Sequence, residues 1–467
     1  MDFTPHLNPA AKEPLYVQLY HFFKEEIRSG RISAGEKLPS KRKLALHLNI
    51  SLNTVNAAYE QLIMEGYLHT RPKSGVYASL RQQDLHTEHL HPLTAEPPPV
   101  SETEDIRFDF SHGKIDLGSF PYSIWRRLTQ ELIYDDQAEL LHSGDVQGES
   151  LLREQIAKYI YQSRGVQALS EQIVIGAGTQ YLLWLLSMIL GKGQVMGFEN
   201  PGYHRAKITF EHSGLLTVPI ELDEHGIDVL QLEKSPANHV YVTPSHQFPY
   251  GMIMPISRRL ELLQWAQRNN GYIIEDDYDG EFRYKGKPIP SLQGLDTLHR
   301  VIYLGTFSKS LIPSIRLNFM VLPPELLEIY QKEFTIYKQT VSRLHQQTLY
   351  LFMKKGHWET HLNRMRTLYR KKQQKLLTSV QFFMGQNVKI IGEQSGLHIL
   401  LRVNTAMPEE VLVLKAMEAG VKVYPSSVYK EGLKTDCPEI LLGFGGLTEQ
   451  EIKKGIEMLA SAWFGVS

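Results

Sequence analysis

Lys309 stands in the run Gly305-Thr306-Phe307-Ser308-Lys309-Ser310-Leu311-Ile312-Pro313-Ser314-Ile315-Arg316. It follows small hydroxyl residues, lies among apolar ones and precedes an arginine by seven positions. Loss of water and a nearby cation both lower an amine's pKa, which turns a lysine into a nucleophile towards an aldehyde. Ser308 and Arg316 suit a phosphate, the arginine through its forked donors. Taken alone, the segment is equally a strand end with one solvated lysine.

Other polar groups follow apolar runs in the same way. In Ile273-Ile274-Glu275-Asp276-Asp277-Tyr278-Asp279 the carboxylates come directly after a buried-strand pattern, and Asp276 precedes Lys309 by 33 residues. A carboxylate against a pyridine nitrogen keeps that ring protonated and makes it an electron sink. Tyr278 shares the face of Asp276 on an extended segment and is placed for a ring hydroxyl. Such a strand exit is also often only a turn. Gly176-Ala177-Gly178-Thr179-Gln180 precedes a helical run and offers backbone N–H groups to a phosphate. Tyr203, in Asn200-Pro201-Gly202-Tyr203, is placed to stack on a planar ring or to fill a core. Thr243-Pro244-Ser245-His246-Gln247-Phe248-Pro249 is a further polar exit. His246 belongs to no metal-ligand spacing, so no metal centre is expected.

These exits require a sheet to gather them. From Ile106 onward, apolar runs at 172–176, 194–198, 239–243, 272–276, 301–304 and 319–322 alternate with amphipathic segments. That alternation predicts βαβ units and a mainly parallel sheet, whose ligands collect at strand C-termini. A long polar helical pattern over 329–380 leads to a smaller C-terminal subdomain, roughly 335–467, with strands near 388–391, 396–401 and 439–444.

The 467 residues are 42% hydrophobic and 22% charged, with a net charge of −1, an ordinary globular composition of two or three domains. Cys437 stands alone, which excludes an internal disulfide and fits a reducing compartment. The N-terminus has no signal-peptide pattern, and the longest apolar window is too short for a membrane span. A cytoplasmic protein is expected. Residues 1–80 carry ten Lys/Arg against seven Asp/Glu, compatible with a head that touches nucleic acid. Residues 81–105, with four prolines and six acidic residues, predict a linker of about 3.1 Å per residue where extended. The body then spans 106–467.

In the head, Pro14 opens a helix that carries Leu15, Leu19, Phe22, Phe23 and Ile27 on one face and ends at Gly30. Ser40 and Ser51 are N-cap residues for two further helices separated by a tight turn at Asn49-Ile50. Segments 66–68 and 75–77 then form a two-stranded wing. The pattern is a winged helix-turn-helix. Ser51, Asn53, Thr54 and Asn56 are candidates for base contacts, and Ser40, Lys41, Arg42 and Lys73 for the DNA backbone. A helical docking domain fits the same pattern.

Residues 14–77 resemble the GntR family of bacterial regulators through "PLYVQLY", "GEKLPSKRKLALHLNIS", "NTVNAAYEQLIMEGYL" and "GVY". That family usually has arginine where Leu52 stands. Residues 106–464 resemble fold-type I pyridoxal-phosphate enzymes of the aminotransferase family. "EDDYDGEFRY", "TPSHQFPYG" and "GTFSKSLIPSIR" look like its MocR-type, GabR-like branch. The implied fold is an N-terminal winged helix-turn-helix, mainly α, before an α/β aminotransferase-like body with a small C-terminal α/β subdomain. The resemblance implies pyridoxal 5′-phosphate on Lys309 as a Schiff base, Asp276 at the pyridine nitrogen and Tyr278 at the ring hydroxyl. It places Tyr203 on the ring, with Gly178, Thr179, Gln180, Thr306, Ser308 and Arg316 around the phosphate.

Two departures stand out. The turn at 245–249 lacks the asparagine of the aminotransferase "HNPTG" pattern. Strand 440–444 and loop 426–429 lack the arginine that holds a substrate carboxylate, which leaves Arg205 as the effector candidate. The implied function is a bacterial, cytoplasmic transcriptional regulator, nucleoid-associated on double-stranded promoter DNA. It senses an amine, an amino acid or the cofactor by aldimine exchange at Lys309. A homodimer is expected, each head resting on its partner's body. A working aminotransferase with an accessory DNA-binding head, and a binding module without cofactor chemistry, are the alternatives.

Overall fold

The computed structural model describes residues 5–79, 106–134, 138–284, 289–432 and 437–465. It divides into two units, residues 1–101 and 102–467. The expected linker, 81–105, lies outside the described residues.

In the first unit α1 (Leu15–Arg28) turns Leu19, Phe23 and Ile27 onto one buried face, as helical spacing dictates. Ahead of α2 (Lys41–Leu48), the Ser40 hydroxyl accepts from the Lys43 N–H; ahead of α3 (Leu52–Met64), Ser51 accepts from that of Thr54. Each serine satisfies an N–H group that the helix itself leaves unpaired. Asn49, at φ 53°, makes the left-handed turn between them. Val55, Tyr59 and Leu62 from α3 close the core on α1. An antiparallel hairpin of β1 (Leu68–Arg71) and β2 (Gly75–Ala78) follows as the expected wing.

The second unit holds an eight-stranded sheet of β3 (Ile173–Gly176), β4 (Val195–Asn200), β5 (Leu216–Asp223), β6 (Gly226–Ile227), β7 (His239–Val242), β8 (Tyr272–Asp277), β9 (Val301–Thr306) and β10 (Asn318–Val321). Its order is β3-β10-β9-β8-β7-β4-β5-β6. Strands β9, β8, β7, β4 and β5 run parallel, while β10 is antiparallel to β3 and β9, and β6 to β5. Both faces are covered. Ile173, Ile175, Phe319 and Val321 enter one core, and Val174, Met320, Ile302 and Leu304 enter another. A two-residue period sends neighbouring side chains to opposite faces, so near-continuous apolar runs are needed.

The mainly parallel sheet was legible, but β5 was not. Pro219 interrupts its run and five of its eight residues are only partly covered. The long helical pattern over 329–380 also resolves differently. A five-residue π-turn, Tyr330–Phe334, is followed by α6 (Arg343–Lys354) and α7 (His357–Phe383).

A second, four-stranded sheet, Val388–Ile391, His398–Val403, Glu439–Gly443 and Tyr424–Pro425 in spatial order, packs on α7 and on α8 (Glu449–Phe464). Thr448 and Glu451 close a capping box at the start of α8. Phe108, Phe110 and Ile115, near the start of the body, enter this same core. Among the described residues no helix is long and apolar enough to cross a membrane.

Candidate functional site

The C-terminal ends of β3, β4, β7, β8 and β9 open on one cavity of about 300 Å³. Thr179, Gln180, Tyr203, Arg205, Asp276, Tyr278, Thr306, Ser308, Lys309 and Arg316 all reach it. Gly178 does not line the cavity; it backs Arg316, whose guanidinium occupies the space a side chain at 178 would need. Parallel register sets Leu304 beside Asp276, and the chain leaving β9 brings Lys309 round to the same opening.

The Lys309 Nζ donates to the His112 carbonyl oxygen at 2.5 Å. Loss of water lowers this amine to about 8; the Asp279 carboxylate opposes that shift and Arg205 adds to it. The direction is the one expected for a nucleophile. The cation responsible is Arg205 rather than Arg316. Asp276 accepts from the Tyr241 hydroxyl, and burial pushes its carboxyl up to about 7. Tyr241 reaches it because β7 pairs with β8 and places Tyr241 beside Ile274, two residues before Asp276 on the same face.

Three features fit a phosphorylated pyridine ring. A carboxylate at the floor, held near neutrality by burial, gains its charge when a ring N–H⁺ faces it. α4 (Thr179–Leu190) begins at Gly178, φ 100°, with no side-chain cap. Although the Asn318 amide oxygen can accept from the Thr179 N–H, the following N–H groups of its first turn are left for an anion. The Ser308 hydroxyl is buried without a partner in the cavity that Arg316 also lines, and Arg316 itself holds a left-handed backbone, φ 49°. Backbone strain of that kind persists where the surroundings enforce it. Tyr203 lies edge-on to Phe248, ring centroids 5.8 Å apart.

Phe248 shows where the turn departs from the aminotransferase pattern. It lines the cavity as an apolar ring directly before Pro249. Strand Glu439–Gly443, with the sequence Glu-Ile-Leu-Leu-Gly, supplies no cation. Among the lining residues the positive side chains are Arg205, Lys309 and Arg316. Spacing gave no sign of His112 or His398, which the fold brings to the cavity from distant segments, whereas Asp279 ends the same strand exit as Asp276. His246, Asp279 and His398 place ligand-capable atoms within 4.8 Å of one another. That grouping is invisible in the sequence spacing. His246 Nδ1 is engaged by Asp279 and His398 Nε2 by the Pro249 carbonyl, while His246 Nε2 is buried without a partner.

In the head, Ser51, Leu52 and Asn53 are exposed at the start of α3, with Thr54 and Asn56 half-buried. The Ser51 and Thr54 hydroxyls lie 2.8 Å apart. Ser40, Arg42 and Lys73 are exposed, and half-buried Lys41 is 3.9 Å from Glu60.

Residues 108–458 match the family described as Aminotransferase class I and II, and residues 15–78 match bacterial regulatory proteins of the gntR family. The chain is 47% identical over 466 residues to the uncharacterized HTH-type transcriptional regulator YdeL of Bacillus subtilis (strain 168), covering 99% of this chain and 100% of that one. It is 32% identical to the probable rhizopine catabolism regulatory protein MocR of Rhizobium meliloti, covering 98% and 96%. The chain belongs to the MocR-type transcriptional regulators. A MocR-type chain joins a DNA-binding gntR head to an aminotransferase-like body whose cofactor is pyridoxal 5′-phosphate. The body is also similar to the solved structure of Pyrococcus horikoshii kynurenine aminotransferase in complex with PMP. That match is 27% identical with a TM-score of 0.68, covering 77% of this chain and 91% of that one.

Proposed function

We propose that this MocR-type regulator reads a small amine or amino acid at Lys309 and reports it to the DNA-binding head. When bound, pyridoxal 5′-phosphate supplies one aldehyde carbon for which the Lys309 amine and an effector amine compete. Thr179, Gln180, Thr306, Ser308 and Arg316, backed by Gly178, hold the phosphate. Asp276 faces the ring nitrogen, Tyr278 the ring oxygen, and Tyr203 covers the ring. Arg205 meets an effector carboxylate. Ser51, Asn53, Thr54 and Asn56 meet bases, while Ser40, Lys41, Arg42 and Lys73 meet phosphates. The domains are 1–80, a linker over 81–105 and the body from 106, acting as a homodimer in which each head rests on its partner's body.

The observation that carries this reading is the meeting of a desolvated amine, a buried carboxylate and an uncapped helix N-terminus around one cavity. Displacing Lys309 biases the body between two arrangements. A coupling of about 1–3 kcal/mol is enough to change operator affinity. The experiment selects operator DNA from a random library with purified holoprotein, then titrates candidate amines while measuring amino-group transfer to a keto acid. Effector-dependent DNA affinity without sustained transfer supports the proposal. Rapid transfer with no DNA affinity supports the aminotransferase reading instead.

A further inference from the structure

Behind Tyr278 lies a buried imidazole–carboxylate couple to which the scheme above gives no task. His246 and Asp279 are each about 2% exposed, and His246 Nδ1 stands 3.0 and 3.1 Å from the two Asp279 oxygens. The Tyr278 hydroxyl lies 3.0 Å from that same Nδ1 and donates to the His246 carbonyl oxygen, also at 3.0 Å. Nδ1 is therefore surrounded by a carboxylate and by a phenol oxygen whose proton points elsewhere. A single Nδ1–H, shared between the carboxylate and the phenol oxygen, serves both. In the neutral ring, Nε2 then carries no proton, in agreement with its burial without a partner.

Space fixes this arrangement. A side chain at Gly396 would overlap the His246 ring and the Asp279 carboxylate, and one at Gly251 would press on Nε2 at 3.0 Å. Glycine at both positions lets the backbone pack directly against the imidazole. Phe248, one residue before Pro249, meanwhile faces the cavity with carbon alone. A ring oxygen in the cavity must therefore find its polar contact elsewhere in the wall, and Tyr278 is a hydroxyl that lines it.

We propose that His246, oriented by Asp279, is a positioning residue for Tyr278: its Nδ1–H holds and polarises the phenol oxygen, so that the hydroxyl proton is free to turn from the His246 carbonyl to the cofactor's ring oxygen. A hydroxyl that accepts a hydrogen bond becomes a stronger donor, and partners that orient metal ligands in a comparable way change affinity about 10–100-fold when removed. The inference rests on the reading that Tyr278 meets the ring oxygen.

The test compares Tyr278→Phe, His246→Leu, His246→Asn and the double variant Tyr278→Phe/His246→Leu, all as full-length protein reloaded with pyridoxal 5′-phosphate. The readouts are the absorption maximum of the bound cofactor and its dissociation constant, with circular dichroism as the check on folding. Tyr278→Phe is expected to move the band and weaken binding about tenfold. His246→Leu does the same, and the double variant is no worse than Tyr278→Phe alone. His246→Asn restores the band, because its amide N–H donates from near the place of Nδ1. If His246→Leu does not fold, Asp279→Asn with and without Tyr278→Phe carries the same expectation. An unmoved band in Tyr278→Phe overturns the placement of Tyr278 itself. A moved band there, with His246→Leu silent or its effect added in full to the double variant, overturns only the His246 inference. Failure of His246→Asn to restore the band does the same.

Discussion

Lys309 and His112, 197 residues apart, meet at 2.5 Å between the amine and a backbone carbonyl. The small subdomain holds that carbonyl in place. The Gly443 N–H donates to the Phe110 carbonyl, and a side chain at Gly443 would run into the backbone of Ser111 and His112. Gly443→Ala is expected to cost about 1–3 kcal/mol of stability and to displace His112 from Lys309. Denaturant unfolding measures the first. A changed pH dependence of cofactor uptake by the apoprotein measures the second.

Asp276 works against the stability of the apoprotein. Its carboxyl holds a proton up to about pH 7 in the folded body, because burial and the charges of Asp277 and Asp279 outweigh the Tyr241 hydrogen bond. Its ordinary value is 3.8, so folding takes up a proton between these limits and this group's contribution to stability rises as the pH falls from 7 towards 4. Asp276→Asn is expected to raise apoprotein stability at pH 8 by about 1–3 kcal/mol and to flatten that pH dependence. The same change weakens pyridoxal 5′-phosphate by about 3–5 kcal/mol, since a buried ring cation loses its counter-charge. Thermal melts with and without cofactor at pH 5 and 8 separate the two effects.

Gly178 leaves room for Arg316. With φ at 100° and the guanidinium in the place of a side chain, Gly178→Ala strains the backbone and pushes the arginine aside. The expected result is a loss of about 1–3 kcal/mol in stability and about tenfold weaker binding of pyridoxal 5′-phosphate. Pyridoxal without its phosphate is expected to bind both forms alike. Paired titrations with the two compounds check this.

In the head, Ser51 serves both folding and recognition, while Asn53, two residues on, serves recognition alone. Ser51 caps α3, so Ser51→Ala is expected to cost about 1 kcal/mol of stability. Asn53 is exposed and makes no cap, so Asn53→Ala leaves stability within about 0.5 kcal/mol but loses about 1–3 kcal/mol of operator affinity. Leu52, 40% exposed where the family has arginine, is the converse case. Leu52→Arg is expected to steepen the salt dependence of binding by about one unit of log–log slope. Fluorescence anisotropy at several salt concentrations measures both variants.

How much of this was legible depended on distance along the chain. Asp276 and Lys309 stood out because each follows its own apolar run, and strand exits of a parallel sheet converge by topology. Ser40 and Ser51 were readable as caps because a cap and its partner are three residues apart. Tyr241 was not readable, since its contact with Asp276 depends on which strand neighbours β8 and in what register. His112, His246 and Asp279 needed the fold for the same reason: loops bring them together from segments at least 33 residues apart. Strand β5 was hidden by Pro219, and the non-helical break at 335–342 before α6 contains no glycine or proline to mark it.

The central claim is that Lys309 is the residue to which the cofactor is joined. Holoprotein treated with borohydride, digested and mapped by mass spectrometry is expected to carry a phosphopyridoxyl mass on the peptide containing Lys309, and none in Lys309→Ala. Reduced holoprotein that binds cofactor yet shows that mass on another lysine, or on none, contradicts the account.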